Sequence, residues 1–187
     1  MLAASTLPLP LPETLSGPVP AAIRATHIVV MGVAGCGKSA VGQRIASALQ
    51  LPMVEGDDFH PDANVQRMRQ GIALTDADRA GWLALLGGVL QQHPDGAVLS
   101  CSALKRSYRD RLRSAVPNLC FVNLAITPAE SQRRVATRAG HFYPPSLVAS
   151  QFATLEDPSG EPGVLVLDGS ATLAQVAEQA VGWLRSP

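Results

Sequence analysis

The chain has 187 residues, of which 47% are hydrophobic and 16% charged, and no net charge at neutral pH. Its length suggests one domain with a proper core, and its composition is that of a globular chain rather than a disordered one. The absence of a basic field and the 4% aromatic content argue against nucleic-acid binding, and no apolar run reaches the roughly 20 residues of a membrane span.

Residues 1–25 carry Pro8, Pro10, Pro12, Pro18 and Pro20, which exclude a helix through most of the segment. The first basic residue is Arg24, so a secretory signal is not expected. The segment reads as a disordered Pro/Ala-rich tail ahead of a single domain over 26–187. Five short apolar runs then predict strands at residues 27–33, 52–55, 97–101, 119–125 and 163–168. Helical patterns fill the gaps. Val41, Ile45, Ala48 and Leu49 make one face of a first helix. A helix at about 76–92 has Asp76 and Asp78 in its first turn, where the dipole favours anions. Leu173, Val176, Ala177, Ala180, Val181 and Leu184 make the face of the last. Strands alternating with helices imply an α/β fold: right-handed crossovers and a mostly parallel sheet covered on both faces. Ligands in such folds bind beyond the carboxyl ends of the strands.

Gly32-Val33-Ala34-Gly35-Cys36-Gly37-Lys38-Ser39 is a complete G-x-x-x-x-G-K-S phosphate-binding loop. It stands where the motif requires, after a predicted strand and before a predicted helix. Gly32, Gly35 and Gly37 allow a tight turn with amides aimed inward, and the helix N-terminus adds positive potential. Lys38 suits the β- and γ-phosphates and Ser39 suits Mg²⁺. Lys38 is one of only two lysines, with Lys105, against thirteen arginines. Arginine serves at most solvated positions, so a retained ammonium marks a site that needs a compact charge. Cys36 fills a variable loop position. Either its thiol does nothing, or the helix N-terminus lowers its pKa and makes it oxidisable. The three cysteines, Cys36, Cys101 and Cys120, are odd in number and lack metal spacing, which fits reduced thiols in a cytoplasmic protein.

The second strand ends in Glu55-Gly56-Asp57-Asp58-Phe59-His60-Pro61. A carboxylate facing the loop can orient a hydroxyl and take its proton. Asp57 is the first candidate and Asp58 the second. Asp58 or His60-Pro61 also reads as the start of the next helix. The third strand end, Ser100-Cys101-Ser102, has no acidic residue, so a metal would rely on Ser39, phosphates and water, with Asp57 in the outer shell. Lys105 and Arg109 lie i, i+4 apart and together suit a carboxylate. Arg106, Arg111 and Arg113 read as a solvated face. Arg134 and Arg138 are also i, i+4, with Gly140 as a hinge beyond them, the pattern of an arginine carried on a lid.

Taken together, several stretches resemble the bacterial-type gluconokinases, in the small P-loop kinase group that also holds shikimate and adenylate kinases. They are Met31–Val41, Glu55–Pro61, Asn64 through Met68 to Gly71, Leu74–Arg79 with Trp82 and Leu83, Cys101–Asp110, and Arg138–Phe142 leading to Ser150–Pro158. They cover about residues 27–168 in order. The resemblance implies ATP-dependent, Mg²⁺-dependent phosphorylation of D-gluconate at its 6-hydroxyl. It also implies a five-stranded sheet of order 2-3-1-4-5, a mobile lid near 134–142, and a homodimer. By match to the motifs, the loop residues Gly32 to Ser39 hold the nucleotide and Asp57 orients the sugar-acid hydroxyl. His60, Arg79, Lys105, Arg109, His141 and Gln151 are implied gluconate contacts, and Arg138 the lid arginine. Two features depart from the family: the extension before residue 26, and Glu55, where the family often has Asp. A kinase of another small hydroxy acid, shikimate-like, is an alternative, but Cys101-Ser102-Ala103-Leu104-Lys105 stands where a glycine-glycine loop would be wanted. A nucleotide-binding regulatory module would want an Asn-Lys-x-Asp signature, which is absent.

Overall fold

Each of the five apolar runs becomes a strand of one parallel sheet. In the computed structural model, which describes residues 26–137 and 143–186, these are β1 (His27–Met31), β2 (Met53–Glu55), β3 (Ala97–Ser100), β4 (Cys120–Ala125) and β5 (Val164–Asp168). Their order is β2-β3-β1-β4-β5, with every neighbouring pair parallel, as the resemblance implied. The expected run 27–33 ends two residues early. Gly32 turns away at φ 133 and takes the chain out of the sheet into the loop.

Seven α-helices stand among the described residues: α1 (Lys38–Leu49), α2 (Asp62–Arg69), α3 (Asp76–Gln91), α4 (Arg106–Ala115), α5 (Pro128–Thr137), α6 (Val148–Thr154) and α7 (Leu173–Leu184). The two-residue period of β1 sorts them into layers. Ile28 and Val30 face Val41 and Ile45 of α1 and Val176 and Ala180 of α7. Val29 and Met31 face Leu83 and Leu86 of α3 and Tyr108 and Leu112 of α4. Both faces of the central strand are thereby dry, which explains a run without polar alternation.

Helix α3 begins where Thr75 caps it. The Thr75 hydroxyl accepts from the Asp78 amide, and the Asp78 carboxylate accepts from the Thr75 amide at 2.8 Å. Helix α2 is polar along most of its length and carries little apolar signal. Only Asn64 and Met68, one turn apart, are buried, and Asn64 Nδ2 donates to the Asp78 carbonyl at 3.0 Å.

The chain leaves β2 through a 3₁₀ turn, Gly56–Phe59, that aims Asp57 back over the sheet edge. Gly56 is the residue that lets it do so. A Cβ there would run into the Ser100 carbonyl oxygen, and the Gly56 carbonyl accepts the Trp82 indole N–H at 2.9 Å. Gly56→Ala should therefore push the turn off β3 and cost about 1–3 kcal/mol of stability by overpacking. Chemical denaturation would check it; an unchanged midpoint would show that the turn has room.

Candidate active site

Beyond the carboxyl end of β1 the loop Gly32–Gly37 wraps into the N-terminus of α1. A Cβ on Gly32 would lie 2.8 Å from the Leu124 carbonyl oxygen, and its φ of 133 is open only to glycine. Gly37, at φ 99, leaves open space before the first amides of α1, which have no intrahelical partner. Lys38 curls back, its Nζ donating to the carbonyls of Gly32 at 3.2 Å and Val33 at 3.1 Å. The loop is braced from several elements. Gly32 N donates to Ser102 O at 3.3 Å, the Ser131 hydroxyl donates to Ala34 O at 2.7 Å, and Ala34 N donates to Gln151 Oε1 at 2.6 Å. Arg134 spans Gly35 O and Gly169 O while Glu130 holds its Nε at 2.5 Å.

In front of this loop lies a cleft of about 440 Å³. One wall is Gly35, Gly37, Lys38, Ser39 and Ala34. Asp57, His60, Arg79 and Gln151 line the same cleft. The structure thus brings together, from β1–α1, the β2 turn, α3 and α6, most of the expected site. His60 stacks on Trp82, with ring centroids 4.1 Å apart and planes 15° from parallel. Its Nε2 lies 3.9 Å from Asp57 Oδ1, and its Nδ1 is buried with no hydrogen-bond partner among the described residues. Burial pushes the His60 pKa down to about 4, overriding the neighbouring Asp57 carboxylate. The ring is therefore neutral near pH 7. Arg79 reaches in from α3 with its guanidinium 5.9 Å from the centre of the Tyr108 ring, and its buried Nε has no hydrogen-bond partner among the described residues. It is a desolvated cation facing a polar cleft.

Several expectations are corrected. Arg109 does not face the cleft. Its side chain is fully buried, donating to the carbonyls of Ala103 at 2.9 Å, Leu104 at 3.0 Å and Glu156 at 3.3 Å, and it is locked to the Glu161 carboxylate. It pins the 156–162 crossing to α4. Lys105 does not line the cleft either. It caps α4 in extended backbone, φ −95, so the i, i+4 relation to Arg109 never forms on a helix face. Its ammonium pairs with both oxygens of Asp76 at 2.8 Å. That contact and the Tyr108 hydroxyl hold the Asp76 carboxyl below the usual range. Cys36 is buried, and burial raises its thiol pKa despite the nearby Lys38, so the lowered value considered from the helix terminus does not arise. Cys36, Gly32 and Val33 form the back of the loop rather than the cleft wall. Asp58 is exposed and caps nothing, since Pro61 precedes α2. Arg138 and His141 lie outside the described residues, as do Gly140, the tail 1–25 and most of the expected lid.

Ala40, Met68, Ser102, Val135, Thr137 and Tyr143 also line the cleft and were not picked out from the sequence as site residues. Ser102 had a signal, its place two residues past a strand end; Met68 had none beyond its spacing from Asn64. Arg134, read only as a helix partner of Arg138, also lines the cleft.

The fold and this cleft define a P-loop kinase of small molecules. A family model, "Shikimate kinase", matches residues 34–149. Gluconokinase from Gluconobacter oxydans is 43% identical over 85% of this chain and 91% of its own length. The thermosensitive gluconokinase of Escherichia coli is 38% identical over 81% and 83%. A crystal structure of a gluconokinase from Sinorhizobium meliloti 1021 superposes with a TM-score of 0.78 at 47% identity, covering 84% of this chain and 90% of that one. The chain belongs to the gluconokinase family, within the wider group that the shikimate kinase model describes.

Two expected outcomes follow from the geometry. Arg109→Met should destabilise the fold by about 3–5 kcal/mol, because Glu161 is left buried without its main partner. The substrate KM of the folded fraction should not move; a raised KM with normal stability would return Arg109 to the site. The His60 pKa of about 4, below the ordinary 6.5, also sets a pH dependence. Between those values the unfolded chain takes up a proton that the folded chain refuses, so stability falls as pH drops from about 6.5 to about 4. His60→Gln should flatten that part of the stability–pH curve in urea titrations; parallel curves would contradict the buried neutral ring.

Proposed function

We propose that this chain transfers the γ-phosphoryl group of ATP to the 6-hydroxyl of D-gluconate, giving 6-phosphogluconate and ADP. One observation carries the reading: Asp57, His60 and Arg79 stand on the same 440 Å³ cleft as Lys38 and Ser39. The two walls have different chemistry. One is a ring of amides and an ammonium, suited to polyphosphate; the other offers a carboxylate, a neutral imidazole and a guanidinium, suited to a hydroxylated carboxylate.

In this reading the amides at the start of α1 and Lys38 hold the β- and γ-phosphates. Asp57 accepts the proton of the attacking hydroxyl as its oxygen bonds to phosphorus and the bond to the ADP oxygen breaks. His60, neutral and stacked against Trp82, orients the polyol by hydrogen bonding without adding charge. Arg79 takes the carboxylate, the part first expected of Lys105 and Arg109. Mg²⁺, when bound, would screen the phosphate charge, with the Ser39 hydroxyl and phosphate oxygens as its holders and Asp57 in the outer shell. Among the described residues, no group of three or more His, Cys, Asp and Glu could hold a metal unaided, so the donor set fits an ion that arrives with its nucleotide. Arg138 as a charge-stabilising arginine, His141 as a gluconate contact and Gly32, Val33 and Cys36 as the rear of the nucleotide loop belong to the same proposal.

All three cysteines are buried, and burial pushes the Cys101 thiol up to about 12; their odd number without metal spacing supports a reducing, cytoplasmic location. Among the described residues no helix is long and apolar enough to cross a membrane. A homodimer is proposed from the family resemblance.

Asp57→Asn should lower kcat by roughly 10²–10⁴ with the ATP KM little changed. Arg79→Met should raise the gluconate KM by about 10- to 100-fold, the value of a desolvated charged hydrogen bond. Coupled ADP release over gluconate, shikimate, other aldonates and nucleoside monophosphates would check both variants and the acceptor together. Turnover of shikimate in place of gluconate would move the proposal to the sister reaction.

A further inference from the structure

Gln151 sits on α6, more than a hundred residues from the phosphate loop in sequence. Its side-chain oxygen accepts the Ala34 amide at 2.6 Å. On the other side of the same residue, the Ser131 hydroxyl of α5 donates to the Ala34 carbonyl at 2.7 Å. Both hydrogen-bonding groups of Ala34 are therefore held, one by α5 and one by α6. Both holders are well buried, Ser131 at 0% and Gln151 at 8% exposure. Among the described contacts, no other residue of Gly32–Gly37 has both its amide and its carbonyl taken by side chains from other elements. The amide of Ala34 is directed at a protein oxygen and that of Cys36 at the Val33 carbonyl at 3.4 Å, while Gly35, Gly37, Lys38 and Ser39 line the cleft. The second end of the carboxamide, Nε2, has no hydrogen-bond partner among the described residues, and Gln151 is part of the cleft wall.

A loop rich in glycine has many conformations to lose on binding an anion. Donors that are already aimed cost nothing to reorganise. We propose that Gln151 is a positioning residue for the phosphate loop: with Ser131 it clamps Ala34 and so sets the direction in which the following loop amides meet the nucleotide's phosphates. This rests on the reading of the cleft as a nucleotide site. It differs from the role expected by resemblance, in which Gln151 serves gluconate. A clamp on the loop acts on nucleotide binding even when no sugar acid is present; a substrate contact does not.

The test uses the full chain and a non-hydrolysable ATP analogue with Mg²⁺, titrated calorimetrically without any acceptor. Gln151→Leu removes the acceptor oxygen at similar size and should weaken binding of the analogue by about 3- to 10-fold, the worth of one hydrogen bond. It should also speed hydrogen exchange at the Ala34 amide. Ser131→Ala should weaken binding by a similar factor. The double variant should lose less than the product of the two, because both act through Ala34. Unchanged analogue affinity in Gln151→Leu, with only the gluconate KM raised, would overturn the proposal in favour of a substrate contact. A lowered Tm with affinity, exchange and kinetics unaltered would overturn it in favour of plain packing. If Gln151→Leu does not fold, the analogue affinity of Ser131→Ala decides: a weakened complex supports the clamp, and an unchanged one overturns it. Wild-type protein that binds the analogue but phosphorylates no gluconate would remove the substrate assignment and leave the clamp standing.

Discussion

Gly32 leaves β1 with the Leu124 carbonyl so close that no side chain fits, and the chain must turn there. The turn carries Lys38 to the first position of α1, and the helix behind it is packed against the sheet through Val41 and Ile45. A loop of this kind is only as good as its supports, since glycine brings no side chain to hold it. The supports come from far along the chain: Ser102 after β3, Ser131 and Arg134 on α5, and Gln151 on α6. The anion site is therefore a property of the whole sheet's carboxyl edge. Any change that shifts one of these elements reaches the loop.

The second wall is built by a different device. Gly56 against Ser100 and the Trp82 indole on the Gly56 carbonyl fix the turn that bears Asp57. The same Trp82 stacks under His60. One buried aromatic thus sets the height of a carboxylate and the plane of an imidazole, and its apolar surface keeps that imidazole neutral. Arg79 stands one turn before Trp82 on α3, so a single helix presents the cation and the stacking platform. The cation on the cleft comes from α3 and not from α4.

The charged helix α4 shows why spacing misleads. Lys105 and Arg109 are four apart, which on a helix would put them together. Lys105 is instead the capping residue, in extended conformation, and its ammonium is drawn to Asp76 on α3. Arg109 turns the other way and is consumed by Glu161 and three carbonyls. Arg79 offered no comparable signal: one arginine in a helix otherwise rich in Leu and Gly, picked out only by its match to a motif. Its guanidinium lies beside the Tyr108 ring of another helix, a setting that no spacing along α3 foretells. The same competition decided Cys36. The helix terminus favours a thiolate, burial opposes it, and burial wins because the loop folds over the sulfur.

By sequence alone, the chain determined its strands, the crossovers between them and the phosphate loop, because each depends on local period or on a glycine at a position no other residue can take. It also determined that a carboxylate would follow β2 and that a cleft would open beyond the carboxyl edge. Which cation faces the cleft, which carboxamide bonds to the loop and which charges are spent inside the protein were decided only in three dimensions. Those outcomes hinge on partners dozens of residues away, and the energy of a buried charge is set by what surrounds it, not by its neighbours along the chain.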